Sequence, residues 1–344
     1  MNATAAAKRP AVQLSTVIPV YNEEESLPAL HKRLTKVLSN ITDDYEIVLV
    51  DDGSRDRSAE IIESLAAQDP HVVGILLSRN FGHQIALTAG LDHARGDAIA
   101  MMDADLQDPP ELLPRMLKRI AEGYDVVYAQ RRKRAGESPF KLFTAALFYR
   151  LLRSLTKVDI PLDTGDFRVI NRVALDSVLS LRERNRFLRG MFSWVGFRQT
   201  GVLYNRAARH AGETKYPLKK MVRLAIDGIT SFSHLPLQFA TWLGFTFALL
   251  GAAYGMRVLY VWSLGGAVQG WASTVLTVLV LGGVQLVTLG IIGEYVGRIL
   301  DESRRRPLYF VRRVAHRDAP PAPAPPAASL VGDLDEDDEE DPSP

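Results

Sequence analysis

Ala100-Met101-Met102-Asp103-Ala104-Asp105-Leu106-Gln107-Asp108-Pro109-Pro110-Glu111 is the stretch on which the reading of this chain turns. An apolar run stops there at two carboxylates one residue apart. In extended or turning backbone, side chains at i and i+2 point the same way, so Asp103 and Asp105 can converge on one point. Two hard oxygen ligands that leave most coordination positions open suit Mg²⁺ or Mn²⁺, with a nucleotide diphosphate as co-ligand. The competing interpretation is a solvated acidic turn that caps a helix opened by Pro109-Pro110-Glu111.

The residues before this stretch repeat one pattern. Gln13 to Val20 is a buried, β-branched strand that ends in Pro19-Val20-Tyr21-Asn22-Glu23-Glu24, where the acids open a helix running to about Leu38. Glu46 to Val50 ends in Asp51-Asp52-Gly53-Ser54, followed by a helix from Ser58 to Ala67. Val72 to Leu77 ends in Ser78-Arg79-Asn80-Phe81-Gly82-His83 before a helix from Gln84 to Ala94, and Asp97 to Met102 delivers the Asp-x-Asp. Strands alternating with helices imply a parallel, doubly wound α/β sheet, whose ligands bind beyond the carboxyl ends of the strands. Tyr21, Glu23, Asp51, Asp52, Arg79, Asp103 and Asp105 should therefore line one rim. No Gly-x-Gly-x-x-Gly follows the first strand and no P-loop occurs, which disfavours dinucleotide oxidoreductases and P-loop NTPases.

A fifth strand, Tyr124 to Ala129, runs into Gln130-Arg131-Arg132-Lys133-Arg134. Such a run is usually a solvated face, but on a diphosphate-binding rim Arg131 becomes a phosphate clamp. Phe140 to Leu155 reads either as a core helix or as one lying on a membrane surface.

Composition narrows the class. The 344 residues hold no cysteine, which excludes disulfides and cysteine-ligated zinc. The formal charge of +1 conceals an asymmetry. Eight of the 40 acidic residues lie between Asp333 and Asp341, which leaves 32 acids against 41 bases in the body. A basic body suits nucleotides and phospholipids. Residues 1–12 lack a signal peptide's apolar core and form a loose leader.

Val17-Ile-Pro-Val-Tyr-Asn-Glu23, Asp51-Asp-Gly-Ser54, Arg79-Asn-Phe-Gly82 and Asp103-Ala-Asp-Leu-Gln-Asp-Pro109, in this order at successive strand ends, resemble the family 2 glycosyltransferases with the Rossmann-like GT-A fold. Within that family they look like the polyprenyl-phosphate sugar transferases, which include dolichol-phosphate mannose synthases and bactoprenol glucosyltransferases. The resemblance implies that Pro19, Tyr21, Glu23 and one of Asp51 or Asp52 hold base and ribose, and that Asp103, Asp105 and Gln107 serve the metal. Asp163-Thr-Gly-Asp-Phe-Arg168 matches a motif of the bactoprenol glucosyltransferase branch, where the aspartate lies near the acceptor. The usual role for such an aspartate is general base. A lipid phosphate is already an anionic nucleophile near neutrality, so Asp166 can instead position the acceptor or Arg168. The structural alternative is a buried Asp166–Arg168 pair in a loop. Arg184 to Phe197 and Tyr204 to Tyr216 extend the resemblance, and Arg206, Arg209 and Lys215 would gather with Arg168 at the acceptor phosphate. Thr214 stands where the family often has Ser. His210 is taken as a surface residue.

The C-terminal third has a different character. Pro217 to Phe232 suggests an amphipathic juxtamembrane helix. Leu235 to Met256 and Val258 to Gly293 carry no charge, and an interruption from Ser263 to Gly270 divides them into two spans, about 235–262 and 271–295. A span needs about 20 apolar residues. Lys219, Lys220 and Arg223 precede the first span and Arg298, Arg304, Arg305, Arg306, Arg312 and Arg313 follow the second, which puts both ends in the cytoplasm. Gly282, Gly283, Gly290 and Gly293 would permit close helix contact or packing between copies of the chain. From Ala315 the Pro/Ala-rich and acidic tail cannot build a core.

The expected organisation is a leader (1–12), a GT-A catalytic domain (13–215), a juxtamembrane helix (216–234), a transmembrane hairpin (235–297), a cytoplasmic basic segment (298–314) and a disordered tail (315–344). The expected reaction is inverting transfer of a hexose, glucose from UDP-glucose first, onto polyprenyl phosphate, with Mg²⁺ or Mn²⁺ and no nucleic-acid partner. UDP-GlcNAc, GDP-mannose and a modified arabinose nucleotide are alternative donors. A processive polysaccharide synthase is disfavoured because no Gln-x-x-Arg-Trp motif occurs and two spans are few for a polymer channel. A non-enzymatic scaffold is disfavoured by the intact Asp103, Asp105 and Asp166.

Overall fold

The structure, a computed structural model, describes residues 12–132, 161, 164–204, 235–264 and 270–316. Lys133 and Arg134, the Phe140–Leu155 helix, Asp163, Arg206, Arg209, Lys215, His210, the juxtamembrane helix, the leader up to Ala11 and the tail beyond His316 lie outside the described residues.

The first half alternates as its periodicity dictates. β1 (Leu14–Val20), α1 (Leu27–Leu38), β2 (Tyr45–Asp51), α2 (Ser58–Gln68), β3 (Val72–Leu77), α3 (His83–His93) and β4 (Ala98–Met101) follow one another. Pro110–Leu112 then forms a single 3-10 turn before α4 (Leu113–Ala121) and β5 (Val126–Arg131). β5 runs two residues further than expected, so Arg131 ends the strand. Every residue of β1 and β2 is buried, because helices cover both faces of these central parallel strands, and Val, Ile and Leu supply most of their side chains.

The remaining elements are β6 (Thr164–Asn171), α5 (Arg172–Ser180), α6 (Leu188–Trp194), β7 (Gln199–Tyr204), α7 (Leu235–Ser263), α8 (Trp271–Ser303) and β8 (Val311–Ala315). The eight strands form one sheet in the order β7-β5-β6-β4-β1-β2-β3-β8. β1 to β4 are parallel, but β6 runs antiparallel between β4 and β5, and β8 runs antiparallel to β3. The sheet is thus mixed, and Asp166 and Arg168 lie on a strand, not in a loop. Leu27, Leu30, Leu34, Ile62, Leu113 and Met116 from α1, α2 and α4 pack on one face. Leu87, Leu91, Leu175, Val178, Met191 and Phe192 from α3, α5 and α6 pack on the other.

β8 corrects the reading of the segment after the second span. Val311 and Val314, between arginines, are too few to announce a strand; the free edge of β3 supplies the pairing. Ala315, expected in the disordered tail, is buried in that ladder opposite Gly74. α8 also outruns the expected span end, because its last turns are charged helix formers, with Glu294 and Arg298 paired at 2.9 Å four residues apart.

α7 and α8 contain stretches long and apolar enough to cross a membrane, Leu237–Val261 and Leu276–Ser303, and almost none of either is buried inside the protein. A Cβ added at Gly282, Gly283, Gly290 or Gly293 would meet nothing within 4 Å, so among the described residues those glycines make no close helix contact.

Candidate active site

Each strand end contributes a turn with its own internal hydrogen bonding. Pro19 lies in β1 opposite Val50, and beyond the strand Tyr21 is exposed while Asn22 adopts φ 55°. The Asn22 N–H donates to Ser54 Oγ (3.0 Å) and its Oδ1 accepts from Arg55 N–H (2.8 Å), locking the β1 turn to the β2 turn. Glu23 donates its N–H to Ser58 Oγ and accepts the Ser26 hydroxyl on Oε2. Asp51 and Asp52 are buried at the end of β2. Asp51 Oδ1 accepts from Ser54 N–H, whereas both Asp52 oxygens accept from the next loop, Phe81 N–H at 2.7 Å and Gly82 N–H at 2.9 Å. Burial, reinforced by Asp51, outweighs those donors and pushes the Asp52 carboxyl up. Gly53 has φ +66°, and a Cβ there would stand 2.6 Å from the Arg79 carbonyl carbon, so the two loops touch backbone to backbone. The Arg79 guanidinium stacks 4.0 Å above the Phe81 ring.

The chemical centre lies where β4, α3, β6 and α6 meet. One ligand atom each from His83, Asp103 and Asp166 falls within 4.8 Å of the others. His83 Nε2 stands 3.2 Å from Asp166 Oδ2 and 3.5 Å from Asp103 Oδ1. Asp103 Oδ1 is buried and, among the described residues, has no hydrogen-bond partner. Burial drives the Asp103 carboxyl upward, the Asp166 and Asp105 charges add to it, and His83 opposes them. A carboxylate oxygen without a hydrogen bond, beside a second carboxylate and an imidazole, is a donor set that fits a hard divalent cation.

Asp166 is held differently. Arg189 Nε donates to its Oδ1 (2.7 Å) and Arg189 Nη2 to its Oδ2 (3.1 Å), and the Gln84 amide adds a long contact at 3.4 Å. Burial alone would raise its pKa, but the Arg189 charge and the His83 and Arg189 hydrogen bonds hold the carboxyl well below the usual range. For His83, burial would lower the pKa, yet the Asp166 hydrogen bond and the Asp103 and Asp166 charges raise it to about 9.

Arg168 points along the same face of β6 as Asp166, two residues on. It is 4% exposed, its Nε has no hydrogen-bond partner, its Nη2 donates to Gly165 O at 3.3 Å, and its guanidinium lies 4.7 Å from the Phe192 ring. Burial lowers its pKa to about 10 despite the Asp166 charge. Arg131 Nε is likewise buried without a hydrogen-bond partner, and a Cβ at Gly165 would come within 3.3 Å of Arg131 Nη2. Two guanidinium groups, the buried Arg168 and the half-buried Arg131, each with a buried Nε that lacks a partner among the described residues, could receive an anion here.

The structure therefore brings Asp103 and Asp166 together with His83, a group that does not include Asp105. Asp105 Oδ1 accepts the Gln107 N–H across Leu106, which is held at φ 60°, and Gln107 is buried. Asp166 takes Arg189, not Arg168, as its partner. His83, Gln84 and Arg189 are the residues that sequence reading left without a role. His83 and Gln84 directly follow a strand-end loop on the same rim, a signal that would have nominated them; Arg189 carries none, because only the packing of α6 on β6 brings it to Asp166.

The sequence pattern described as glycosyl transferase family 2 matches residues 15–179, and that of the GtrB C-terminal hairpin matches residues 235–299. An uncharacterized glycosyltransferase of Bacillus subtilis (strain 168), YkcC, is 52% identical over 88% of this chain and 94% of its own. A prophage bactoprenol glucosyl transferase homolog of Escherichia coli (strain K12) is 41% identical over 88% and 99%, and the bactoprenol glucosyl transferase of Shigella phage SfV is 41% identical over 88% and 98%. A looser likeness is to glucosyl-3-phosphoglycerate synthase from Mycobacterium tuberculosis in complex with phosphoglyceric acid, at 22% identity and a TM-score of 0.43 over 64% of this chain and 79% of that one. With nine-tenths of its length aligned to such relatives and both patterns in place, the chain belongs to the family 2 glycosyltransferases, in the group that carries the C-terminal hairpin of the bactoprenol glucosyl transferases.

Proposed function

We propose that the protein transfers glucose from UDP-glucose to a polyprenyl phosphate, undecaprenyl phosphate in a bacterial membrane, on the cytoplasmic leaflet. The observation that carries this reading is the pairing of an orphaned Asp103 oxygen with an Arg189-clamped Asp166 at the strand ends of a chain that also holds two apolar, unburied helices. A water-soluble donor site beside a membrane hairpin calls for an acceptor that is itself membrane-borne. The names of the bactoprenol glucosyl transferase relatives support both sugar and acceptor.

The donor's base and ribose rest on Pro19, Tyr21, Glu23 and Asp51; Asp52 serves them indirectly, by fixing the loop that bears Arg79. Asp103 is the principal holder of Mg²⁺ or Mn²⁺, with His83 and Asp166 around it and Asp105 and Gln107 on the adjoining turn. The cation supplies charge neutralisation on the departing diphosphate. Arg131 adds a fixed positive charge to that diphosphate. Arg168, with Arg206, Arg209 and Lys215, receives the acceptor phosphate. A phosphate oxygen forms a bond to the anomeric carbon as the bond to the diphosphate oxygen breaks from the opposite side, giving inverted glucosyl phosphate lipid and UDP. The nucleophile arrives ionised, so no base is required, and Asp166, ionised and forked to Arg189, orients cationic groups. Its depressed pKa makes it a poor proton acceptor near neutrality.

Membrane embedding of both helices with cytoplasmic termini, and packing of hairpins between copies through the outward-facing glycines, complete the proposal. The test is UDP release from UDP-glucose by purified protein with Mn²⁺. Release that requires undecaprenyl phosphate supports the reading; release at the same rate without it rejects the acceptor.

A further inference from the structure

The strand that follows the membrane hairpin begins beside the loop that delivers His83, and we propose that Tyr309–Ala315 is a positioning element of the donor site, acting through Phe310. This rests on the reading above, in which the loop after β3 serves the donor.

The ladder is explicit. Gly74, Ile75, Leu76 and Leu77 of β3 pair with Ala315, Val314, Arg313 and Val311 of β8, with a register shift between Leu76 and Leu77. Pairing then continues one residue past the strand, where Ser78 N–H donates to Phe310 O at 2.9 Å. The Phe310 ring meets the Phe81 ring at 6.4 Å, and Phe81 carries the Arg79 guanidinium on its other contact. On the far side of the same loop, Asp52 accepts the Phe81 and Gly82 amides. Residues 78–82 are thus held between two clamps, a carboxylate from β2 and a carbonyl and ring from β8. Immediately after Gly82, at φ 99°, His83 begins α3 and reaches Asp166.

The element is also tied to the hairpin's exit. Glu302, in the last turn of α8, accepts the Arg184 N–H at 2.7 Å, and Arg184 Nη1 donates to Arg306 O at 3.1 Å. Tyr309 donates its hydroxyl to Asp92 of α3 at 2.9 Å, and Arg313 pairs with Glu63 of α2 at 3.0 Å. A continuous set of contacts therefore runs from the end of the second apolar helix to the loop. Without β8, β3 would be an exposed edge and the loop would lose the Phe310 carbonyl and ring, keeping its hold on the β2 side through Asp52 and Gly53. Loops of this kind, with exposed backbone and few apolar contacts, open most readily. The hairpin's exit strand removes that freedom.

The test uses the full-length protein in detergent, comparing wild type, Phe310→Ala and Phe310→Tyr. Amide hydrogen exchange follows residues 79–86; UDP affinity is read by calorimetry with Mn²⁺, and KM and kcat for UDP-glucose by transfer. Losing one aromatic contact should speed exchange of the Phe81 and Gly82 amides about two- to tenfold, with β1 and β2 unchanged. UDP affinity should weaken and the donor KM rise by a comparable factor while kcat stays within about twofold, and Phe310→Tyr should restore all three. Unchanged exchange in residues 79–86 overturns the proposal, as does faster exchange with unchanged UDP affinity. A fall in affinity accompanied by faster exchange throughout the sheet also overturns it, because that is loss of fold. Wild-type protein that transfers no sugar counts against the donor and acceptor reading, and exchange with UDP affinity still decides this one.

Discussion

Asp166 accepts both arms of the Arg189 guanidinium, at 2.7 Å from Nε and 3.1 Å from Nη2, although the two residues are 23 positions apart and lie on different elements. A fork of this kind fixes plane and distance together, and it keeps the carboxylate ionised in a buried place. Asp166→Asn retains shape but loses the charge that holds Arg189 and His83. Turnover should drop about 100-fold, as expected for misplacement of groups around a reacting centre. UDP affinity should stay within about threefold. Steady-state kinetics with parallel calorimetry checks this, and undiminished turnover would remove Asp166 from the site.

Asp103 has a buried oxygen with no hydrogen-bond partner, and Asp105 does not. Asp103→Asn should weaken the Mn²⁺-dependent gain in UDP affinity about 10- to 100-fold, within the range for removing one support of a metal site. Asp105→Asn should cost less, because its carboxylate also closes its own turn. Titration of UDP with and without Mn²⁺ separates the two. Equal effects would mean that both carboxylates hold the ion directly.

His83 carries a pH signature. Its folded-state pKa of about 9 lies above the ordinary 6.5, so its stabilising contribution is complete below about pH 6.5 and is lost as pH rises through 9. In metal-free protein the melting temperature of wild type should exceed that of His83→Gln by most near pH 6, and the gap should close by pH 10. A gap that does not vary with pH contradicts the ion-pair assignment.

Arg168 is a buried cation with one long hydrogen bond and an unsatisfied Nε. Arg168→Lys preserves charge but not the plane that lies against Phe192. The KM for polyprenyl phosphate should rise more than about tenfold, the loss expected for one charge-assisted hydrogen bond, while UDP affinity is unaffected. An equal loss of donor affinity would place Arg168 on the donor side.

The parts of this account that could be read from sequence are those governed by local rules. β-branched runs ending in Asp, Asn or Gly turns announce β1 to β4 and place Tyr21, Asp51, Arg79 and Asp103 at one rim, because the chain must reverse wherever a buried strand ends. The uncharged lengths of α7 and α8 are equally local. Non-local pairing stayed hidden. β6 was legible only as a motif: Asp166, Phe167, Arg168 and Val169 do alternate as a strand would, but Gly165 and the two charges mask the short run, and pairing with β4 and β5 settles it. β8 was invisible because a five-residue strand rich in arginine owes its existence to the edge of β3, some 235 positions earlier. The Arg189–Asp166 fork and the His83 bridge depend on how α3 and α6 dock on the sheet, which no spacing encodes.

Transfer to a lipid phosphate is measured by following radiolabel from a panel of nucleotide sugars into the lipid phase, using purified full-length protein, undecaprenyl phosphate and Mn²⁺ or Mg²⁺. Label should enter the lipid phase from UDP-glucose, dependent on the cation and abolished by Asp103→Asn. Folded protein that binds UDP yet labels no lipid from any donor would contradict it.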